Sequence, residues 1–183
     1  MIKTCDTGRR VACPPGAYAR LASVQPASAQ PRPALFLDRD GVLNEDSGYV
    51  HRIEDLVLRP GMAARIGQAR RDGWETVVVT NQSGIGRGYY GWAEFEAFQA
   101  ELGRLLLAQD PDSAISLVCA CPFHEQALPP YDVPDHPWRK PNPGMLVFAA
   151  EALGLVLARS LMIGDAVSDE QAARRAGVAF EYA

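Results

Sequence analysis

Three short apolar runs in this chain break off into residues that could do chemistry. Ala34-Leu35-Phe36-Leu37 runs into Asp38-Arg39-Asp40-Gly41. Thr76-Val77-Val78-Val79 runs into Thr80-Asn81-Gln82-Ser83-Gly84, and Ser160-Leu161-Met162-Ile163 runs into Gly164-Asp165, with Asp169 four residues further on. One acid after one strand means little, because strand ends are often polar. Two acids at i and i+2, a hydroxyl and a third acid meeting on one edge make a site. Carboxylates with no histidine beside them are hard oxygen ligands that suit Mg2+, a cation that keeps waters and shares a substrate phosphate. Such a cation neutralises phosphate charge and leaves one carboxylate free to attack phosphorus. Phosphoryl transfer asks mainly for positioning and charge stabilisation, so a hydroxyl donor and a cationic side chain should complete the set. Thr80 supplies the first. Lys140 supplies the second.

Lys140 stands out by composition. The chain uses arginine almost everywhere, and Lys3 and Lys140 are its only lysines. A sequence this tolerant of arginine that keeps one lysine in its patterned region points to a compact ammonium being needed there.

Those residues need a frame. The three runs, with a fourth at Ile115-Ser116-Leu117-Val118, read as strands buried on both faces of a parallel sheet. Helical stretches alternate with them. Residues 60–71 start at Pro60 and stop at Asp72-Gly73. Residues 92–109 place Phe95, Phe98, Leu102, Leu105 and Leu106 on one stripe. Residues 143–153 close at Gly154. Residues 168–176 open with Ser168 and Gln171 in capping-box spacing and stop at Gly177. Residues 179–183 read as a final strand. The alternation predicts a doubly wound, mostly parallel α/β sheet flanked by helices, with its ligand beyond the carboxyl ends of the strands. About forty residues separate Asp38 from Thr80, and about sixty separate Thr80 from Lys140. Helices and strands nearly use up both intervals, so no cap domain fits. The site should be open, shielded only by loops over residues 44–59 and 122–138.

The 183 residues are 48% hydrophobic and 22% charged, with a net charge of −4, which argues for one soluble domain and against a general nucleic-acid or membrane surface. No apolar run approaches the roughly 20 residues that span a bilayer. Four cysteines, Cys5, Cys13, Cys119 and Cys121, are too few and too unevenly placed for a secreted disulfide framework. A cytoplasmic monomer is the expectation. Residues 1–33, with Pro14, Pro15, Pro26, Pro31 and Pro33 and no sustained apolar period, read as a disordered N-terminal extension, leaving residues 34–183 as the domain.

The motifs resemble those of haloacid-dehalogenase (HAD)-like phosphatases. The segments that carry the likeness are Asp38-Arg39-Asp40-Gly41-Val42-Leu43-Asn44, Val79-Thr80-Asn81-Gln82-Ser83-Gly84-Ile85, Arg139-Lys140-Pro141-Asn142-Pro143-Gly144-Met145 and Ile163-Gly164-Asp165. More narrowly they are similar to the D,D-heptose 1,7-bisphosphate and histidinol-phosphate phosphatases, in the same order from about Ala34 to about Val178. The resemblance implies a Rossmann-like HAD core and an Mg2+-dependent phosphatase working through an aspartyl phosphate. By it, Asp38 is the nucleophile and Asp40 the acid that protonates the leaving oxygen and then the base that activates water. Asp38, Asp40 (through its backbone carbonyl) and Asp165 hold Mg2+, while Thr80 and Lys140 bind the transferring phosphoryl group. Asp169 orients Lys140 or the metal's surroundings. Asp46, Ser47, Gly48, Tyr49, Asn81, Gln82, Ser83 and Arg139 contact the rest of the substrate, Arg139 being suited to a second phosphate. The implied substrate is D-glycero-D-manno-heptose 1,7-bisphosphate, converted to the 1-phosphate for lipopolysaccharide precursors.

The resemblance breaks in the second loop. Relatives hold a structural zinc there on a Cys-x-His and a Cys-x-Cys pair, whereas this chain reads Cys121-Pro122-Phe123-His124 and His136-Pro137-Trp138. Alignment keeps Cys121 and puts Phe123, His136 and Trp138 at the other ligand positions. Cys119, Cys121, His124 and His136 remain a conceivable tetrahedral set, but Cys119 falls within the strand, and packing of proline and Trp138 in place of a metal is the expectation. Only eighteen residues follow Asp165 where relatives continue, so the last strand is expected at an exposed edge. Ser83-Gly84-Ile85-Gly86-Arg87-Gly88 looks like a nucleotide loop but lacks its Lys-Ser/Thr ending, and reads as a flexible turn over the site. Other functions weighed are hydrolysis of histidinol phosphate or another phosphomonoester, 3′-phosphate removal from DNA, which the acidic charge opposes, and non-catalytic phosphosugar binding, which the intact acids oppose.

Overall fold

A computed structural model describes residues 13–23 and 30–183. Six strands form one sheet in the order β1-β4-β3-β2-β5-β6. They are β1 (Tyr18–Leu21), β2 (Ala34–Leu37), β3 (Glu75–Asn81), β4 (Leu117–Cys121), β5 (Leu161–Gly164) and β6 (Ala179–Tyr182). All neighbours run parallel except β1, which pairs antiparallel with β4. The helices are α1 (Met62–Arg71), α2 (Ser83–Gly86), α3 (Trp92–Gln109), α4 (Gly144–Leu153) and α5 (Val167–Ala176).

The expected double winding is present, and its physical signature is clearest in β2. All four of its residues are buried, Leu35 and Leu37 against one layer and Ala34 and Phe36 against the other. α1 and α3 cover the first face, where Ile66, Phe95, Phe98, Leu102 and Leu106 are buried. α4 and α5 cover the second with Met145, Leu146, Ala149, Ala172 and Ala173. The intervals from Asp38 to Thr80 and from Thr80 to Lys140 contain α1, α2, α3 and their loops and no inserted domain.

Three local expectations shift and one holds. The strand expected at residues 115–118 begins at Leu117 and continues through the small apolar trio Cys119-Ala120-Cys121, as far as the pairing of Cys121 with Asn81. Ser116 is taken up instead by a buried polar tie below the sheet, where its hydroxyl donates to Glu75 at 2.5 Å and accepts from Arg70 at 2.8 Å. α5 is capped at Ala166, not Ser168, because the Asp169 carboxylate accepts the Ala166 N–H at 3.1 Å. The supposed flexible turn at residues 83–88 begins as helix α2, with Gly84, Ile85 and Gly86 buried. β6 does lie at the edge, where Glu181 pairs with Arg65 at 2.7 Å and blunts further strand addition.

The largest correction concerns the expected extension at residues 1–33. Residues 18–21 are a sheet strand, with Tyr18 opposite Ala120 and Leu21 opposite Leu117. Tyr18 stacks on Trp92 at 5.3 Å and meets Phe95 edge-on at the same distance. Four residues set among prolines carry too little periodicity to announce a strand; the pairing comes from the β4 edge they cover. The parts of that expectation on residues 1–12 and 24–29 lie outside the described residues. Replacing Tyr18 by Ala should cost about 2 kcal/mol in urea unfolding, less than a fully buried aromatic because Tyr18 is half-buried. An unchanged midpoint would mean that β1 does not contribute to the fold's stability.

Candidate active site

β2, β3 and β5 end side by side, and each end presents the acid or hydroxyl expected of it. Asp38 follows β2 directly, and its Oδ2 lies 2.8 Å from Lys140 Nζ while its Oδ1 accepts the Arg39 N–H at 2.7 Å. Asp169, in the first turn of α5, is fully buried and reaches Lys140 Nζ at 2.6 Å. Lys140 therefore sits between two carboxylates, almost without solvent contact. It is held from behind by Asn81, which accepts the Lys140 N–H and donates to the Lys140 carbonyl, both at 3.0 Å.

Asp165 closes the set. One carboxylate oxygen from each of Asp38, Asp165 and Asp169 lies within 4.8 Å of the others, the only such cluster of potential metal-ligating side chains among the described residues. One six-coordinate Mg2+ with oxygens at roughly 2.1 Å spans about 4 Å, so an all-oxygen set of this size suits that cation. The approach depends on Gly41. Its φ is +78°, and a Cβ there would overlap the Asp165 carboxylate. Asp40 is absent from the cluster because its side chain faces elsewhere. Arg39 forks onto both its oxygens at 3.0 and 2.8 Å, Asn44 donates at 3.0 Å and Gln82 at 2.9 Å. Its carboxylate is thus engaged within the protein, which leaves its backbone carbonyl, the atom the resemblance assigned to a metal.

The electrostatics follow from this crowding. Burial pushes the Asp38 carboxyl up, to about 7, with Lys140 pulling it down and Asp169 and Asp40 pushing it further up. Burial also raises Asp165, with Asp169 adding to the rise. Burial opposes the charge on Lys140, but Asp38 and Asp169 more than offset it, so its affinity for the proton rises.

The other expected residues divide. Thr80 is buried at the end of β3 and accepts from Gln82 at 2.8 Å. Asn81 and Gln82, expected to touch substrate, are engaged inside the protein. Asn81 holds Lys140, and Gln82 is only 2% exposed with its carboxamide bonded to Asp40, Thr80 and Tyr90. Ser83 opens α2 and is half-buried. Asp46, Ser47, Gly48 and Tyr49 form an exposed loop in which Asp46 accepts the Gly48 N–H at 2.8 Å. Tyr49 has φ +51°, rare for a bulky residue, and its ring meets Tyr89 edge-on at 4.9 Å. Arg139 is half-buried, donates to the Phe123 carbonyl at 3.1 Å and has its charge opposed by burial. The four conceivable zinc ligands do not converge. Cys119 and Cys121 are buried in β4, His124 lies 3.2 Å from Arg87, and His136 stacks on Phe123 at 3.8 Å. Sequence reasoning missed the clamp on Asp40 by Arg39 and Asn44, although both lie inside the first motif.

Fold and site together define a phosphoric monoester hydrolase. A family model for HAD-hydrolase-like proteins matches residues 137–180. The D-glycero-beta-D-manno-heptose-1,7-bisphosphate 7-phosphatase of Mesorhizobium japonicum is 52% identical over 148 residues, 80% of this chain and 67% of that protein. The solved structure of a HAD-like phosphatase from Mesorhizobium loti superposes with a TM-score of 0.83 at 46% identity, covering 90% of this chain and 77% of that one. The D,D-heptose 1,7-bisphosphate phosphatase of B. bronchiseptica, complexed with magnesium and phosphate, follows with a TM-score of 0.68 at 33% identity, covering 80% and 78%. The chain belongs to the HAD-like phosphatase family, whose members use Mg2+. Among the described residues, no helix is long and apolar enough to cross a membrane.

The raised carboxyls predict how pH and metal act together. Asp38 shifts from 3.8 to about 7 on folding without a divalent cation. The folded form then binds protons more tightly than the unfolded one, so the stability this group contributes is full below about 4 and is lost as pH rises through 7. Melting temperature in EDTA should fall from pH 5 to pH 8. Millimolar Mg2+ should raise it more at pH 8 than at pH 5, and an equal rise at both would place the cation elsewhere.

Proposed function

We propose that this protein removes the C7 phosphate of D-glycero-D-manno-heptose 1,7-bisphosphate, leaving the 1-phosphate, as a cytoplasmic monomer. The observation that carries the reading is the convergence of Asp38, Asp165, Asp169 and Lys140 at adjoining strand ends. In the first step an Asp38 oxygen forms a bond to phosphorus as the bond from phosphorus to the sugar oxygen breaks. Asp40 gives that oxygen a proton. In the second step Asp40 takes a proton from water as the water oxygen attacks phosphorus, which frees inorganic phosphate and restores Asp38. Lys140 and the Thr80 hydroxyl hold the phosphoryl oxygens throughout. Mg2+, held by Asp38, Asp165 and the Asp40 carbonyl, would supply further neutralisation of phosphate charge. The exposed loop at 46–49, with Arg139, would meet the rest of a small sugar phosphate.

In the second loop, we read aromatic packing in place of a metal. Phe123 stacks on His136 and meets Tyr131 edge-on, and Trp138 packs on Phe148 at 4.8 Å. About one zinc per purified chain, lost in Cys121→Ser, would overturn this reading.

Phosphate release across heptose bisphosphate, histidinol phosphate and 3′-phosphorylated DNA tests the substrate. Heptose bisphosphate should lead by at least about tenfold in kcat/KM, a difference of about 1.4 kcal/mol in transition-state binding. Asp38→Asn should lower turnover by roughly a thousandfold or more. A preference for either of the other substrates would reassign the function. Full activity in Asp38→Asn would remove the aspartyl-phosphate route.

A further inference from the structure

Gln82 and Tyr90 have no part in the chemistry just described, yet they are buried against it. Gln82 Nε2 carries two protons, and both are used, one toward Asp40 Oδ2 at 2.9 Å and one toward Thr80 Oγ at 2.8 Å. The same amide therefore ties the proposed acid to the hydroxyl proposed to hold the phosphoryl group. Since Thr80 Oγ accepts from Gln82, its own proton is free to point at a phosphoryl oxygen. The remaining atom of the carboxamide, Oε1, accepts the Tyr90 hydroxyl at 2.5 Å.

Tyr90 is itself tightly placed. Its ring lies parallel to His51, at 3° and 4.6 Å. On another side it fills the space beside Gly84, where a Cβ would overlap the ring. That packing accounts for the glycine after Ser83, which a phosphate-loop reading would have assigned to ligand binding. Burial pushes the Tyr90 phenol up to about 12, so it remains a donor wherever the enzyme works.

The chain of contacts has a direction. The Arg39 fork fixes the plane of the Asp40 carboxyl, and Arg39 is itself held over the Phe98 ring at 4.6 Å. The fork comes from the residue beside Asp40 and does not connect it to β3, where the phosphoryl-binding Thr80 sits. Gln82 makes that connection. A terminal amide turns about a soft torsion, so its aim is set by what holds its far oxygen.

We propose that Tyr90 is a positioning residue that acts through Gln82 to aim the Asp40 carboxyl at the leaving oxygen. The inference rests on the reading of Asp40 as the general acid. A misplacement of about 1 Å at a reacting group can cost as much as a hundredfold in rate, so a single lost hydroxyl is expected to be visible.

The test exploits the leaving group. A sugar alkoxide needs a proton to depart, and p-nitrophenolate does not. In Tyr90→Phe, which keeps the ring on His51 and Gly84, single-turnover cleavage of a sugar phosphate should slow about tenfold. The nitrophenol burst from p-nitrophenyl phosphate should stay within about twofold, as should KM for the sugar phosphate. Gln82→Leu also releases Thr80, so it should slow both substrates, but the sugar phosphate by about tenfold more, and the double variant should lose no more than Gln82→Leu alone, because Tyr90 acts through Gln82. Equal slowing on both substrates, no slowing, or additive losses would overturn the proposal. Should Tyr90→Phe fail to fold, the excess loss on the sugar phosphate in Gln82→Leu decides, and equal slowing of both substrates there overturns the proposal. Asp40→Asn separates the two readings. If it slows both substrates equally, the acid role of Asp40 fails and the inference falls with it. If it is selective while Tyr90→Phe is not, only the inference falls.

Discussion

Carboxylates repel one another, and this fold brings four of them to one sheet edge. Two negative charges about 4 Å apart cost about 4 kcal/mol at an effective dielectric of 20, which is a large share of a domain's stability. Two cations offset part of that cost. Lys140 lies between Asp38 and Asp169, and Arg39 forks onto Asp40. Asp165 has neither partner, and the formal balance of four acids against two bases leaves two negative charges over. That excess matches one divalent cation. That charge, counted with every group ionised, suits a hard divalent cation such as Mg2+.

The same constraint assigns the glycines and helix starts nearby. Asp165 can approach Asp38 only because residue 41 has no side chain and turns through positive φ. Asp169 performs two tasks with two oxygens: Oδ2 caps α5 by accepting the Ala166 N–H, and Oδ1 meets Lys140. A carboxylate at the first turn of a helix also faces the positive end of the helix dipole, which favours its charge. The acid nearest Lys140 is therefore stabilised by the backbone as well as by the ammonium.

Much of this was legible in the sequence because it is local. The apolar runs that end in Asp38, Thr80 and Asp165 declare buried parallel strands and their reactive ends at once, and α3 was readable from the spacing of its aromatic and leucine stripe. What escaped was non-local. Tyr18 belongs to the sheet because Trp92, Phe95 and the β4 edge receive it, and none of these is near it in sequence. Asn81 and Gln82 look like substrate contacts by position but turn inward, since Lys140 and Asp40 offer them partners that only the fold supplies. The cap of α5 moved to Ala166 for a related reason: a carboxylate needed at the site outcompeted the serine that spacing favoured.

An open site raises the question of what keeps water from weakening its charges, since no cap domain is inserted between its motifs. The burial gradient answers it. Lys140 and Asp169 have side chains 1% and 0% exposed, and Asp38 14%, so the charged groups sit beneath the strand ends rather than on them. The protein interior does for the catalytic half what a lid does elsewhere, lowering the local dielectric where phosphoryl charge must be held. The loop at 46–49, by contrast, is exposed, and Arg139 is partly exposed. The groups proposed for reaction and those proposed for recognition thus lie at different depths. The buried half depends on hydrogen bonds that leave little room for substitution, whereas side chains in the exposed half can change without disturbing the carboxylates, which is where the proposed substrate contacts lie.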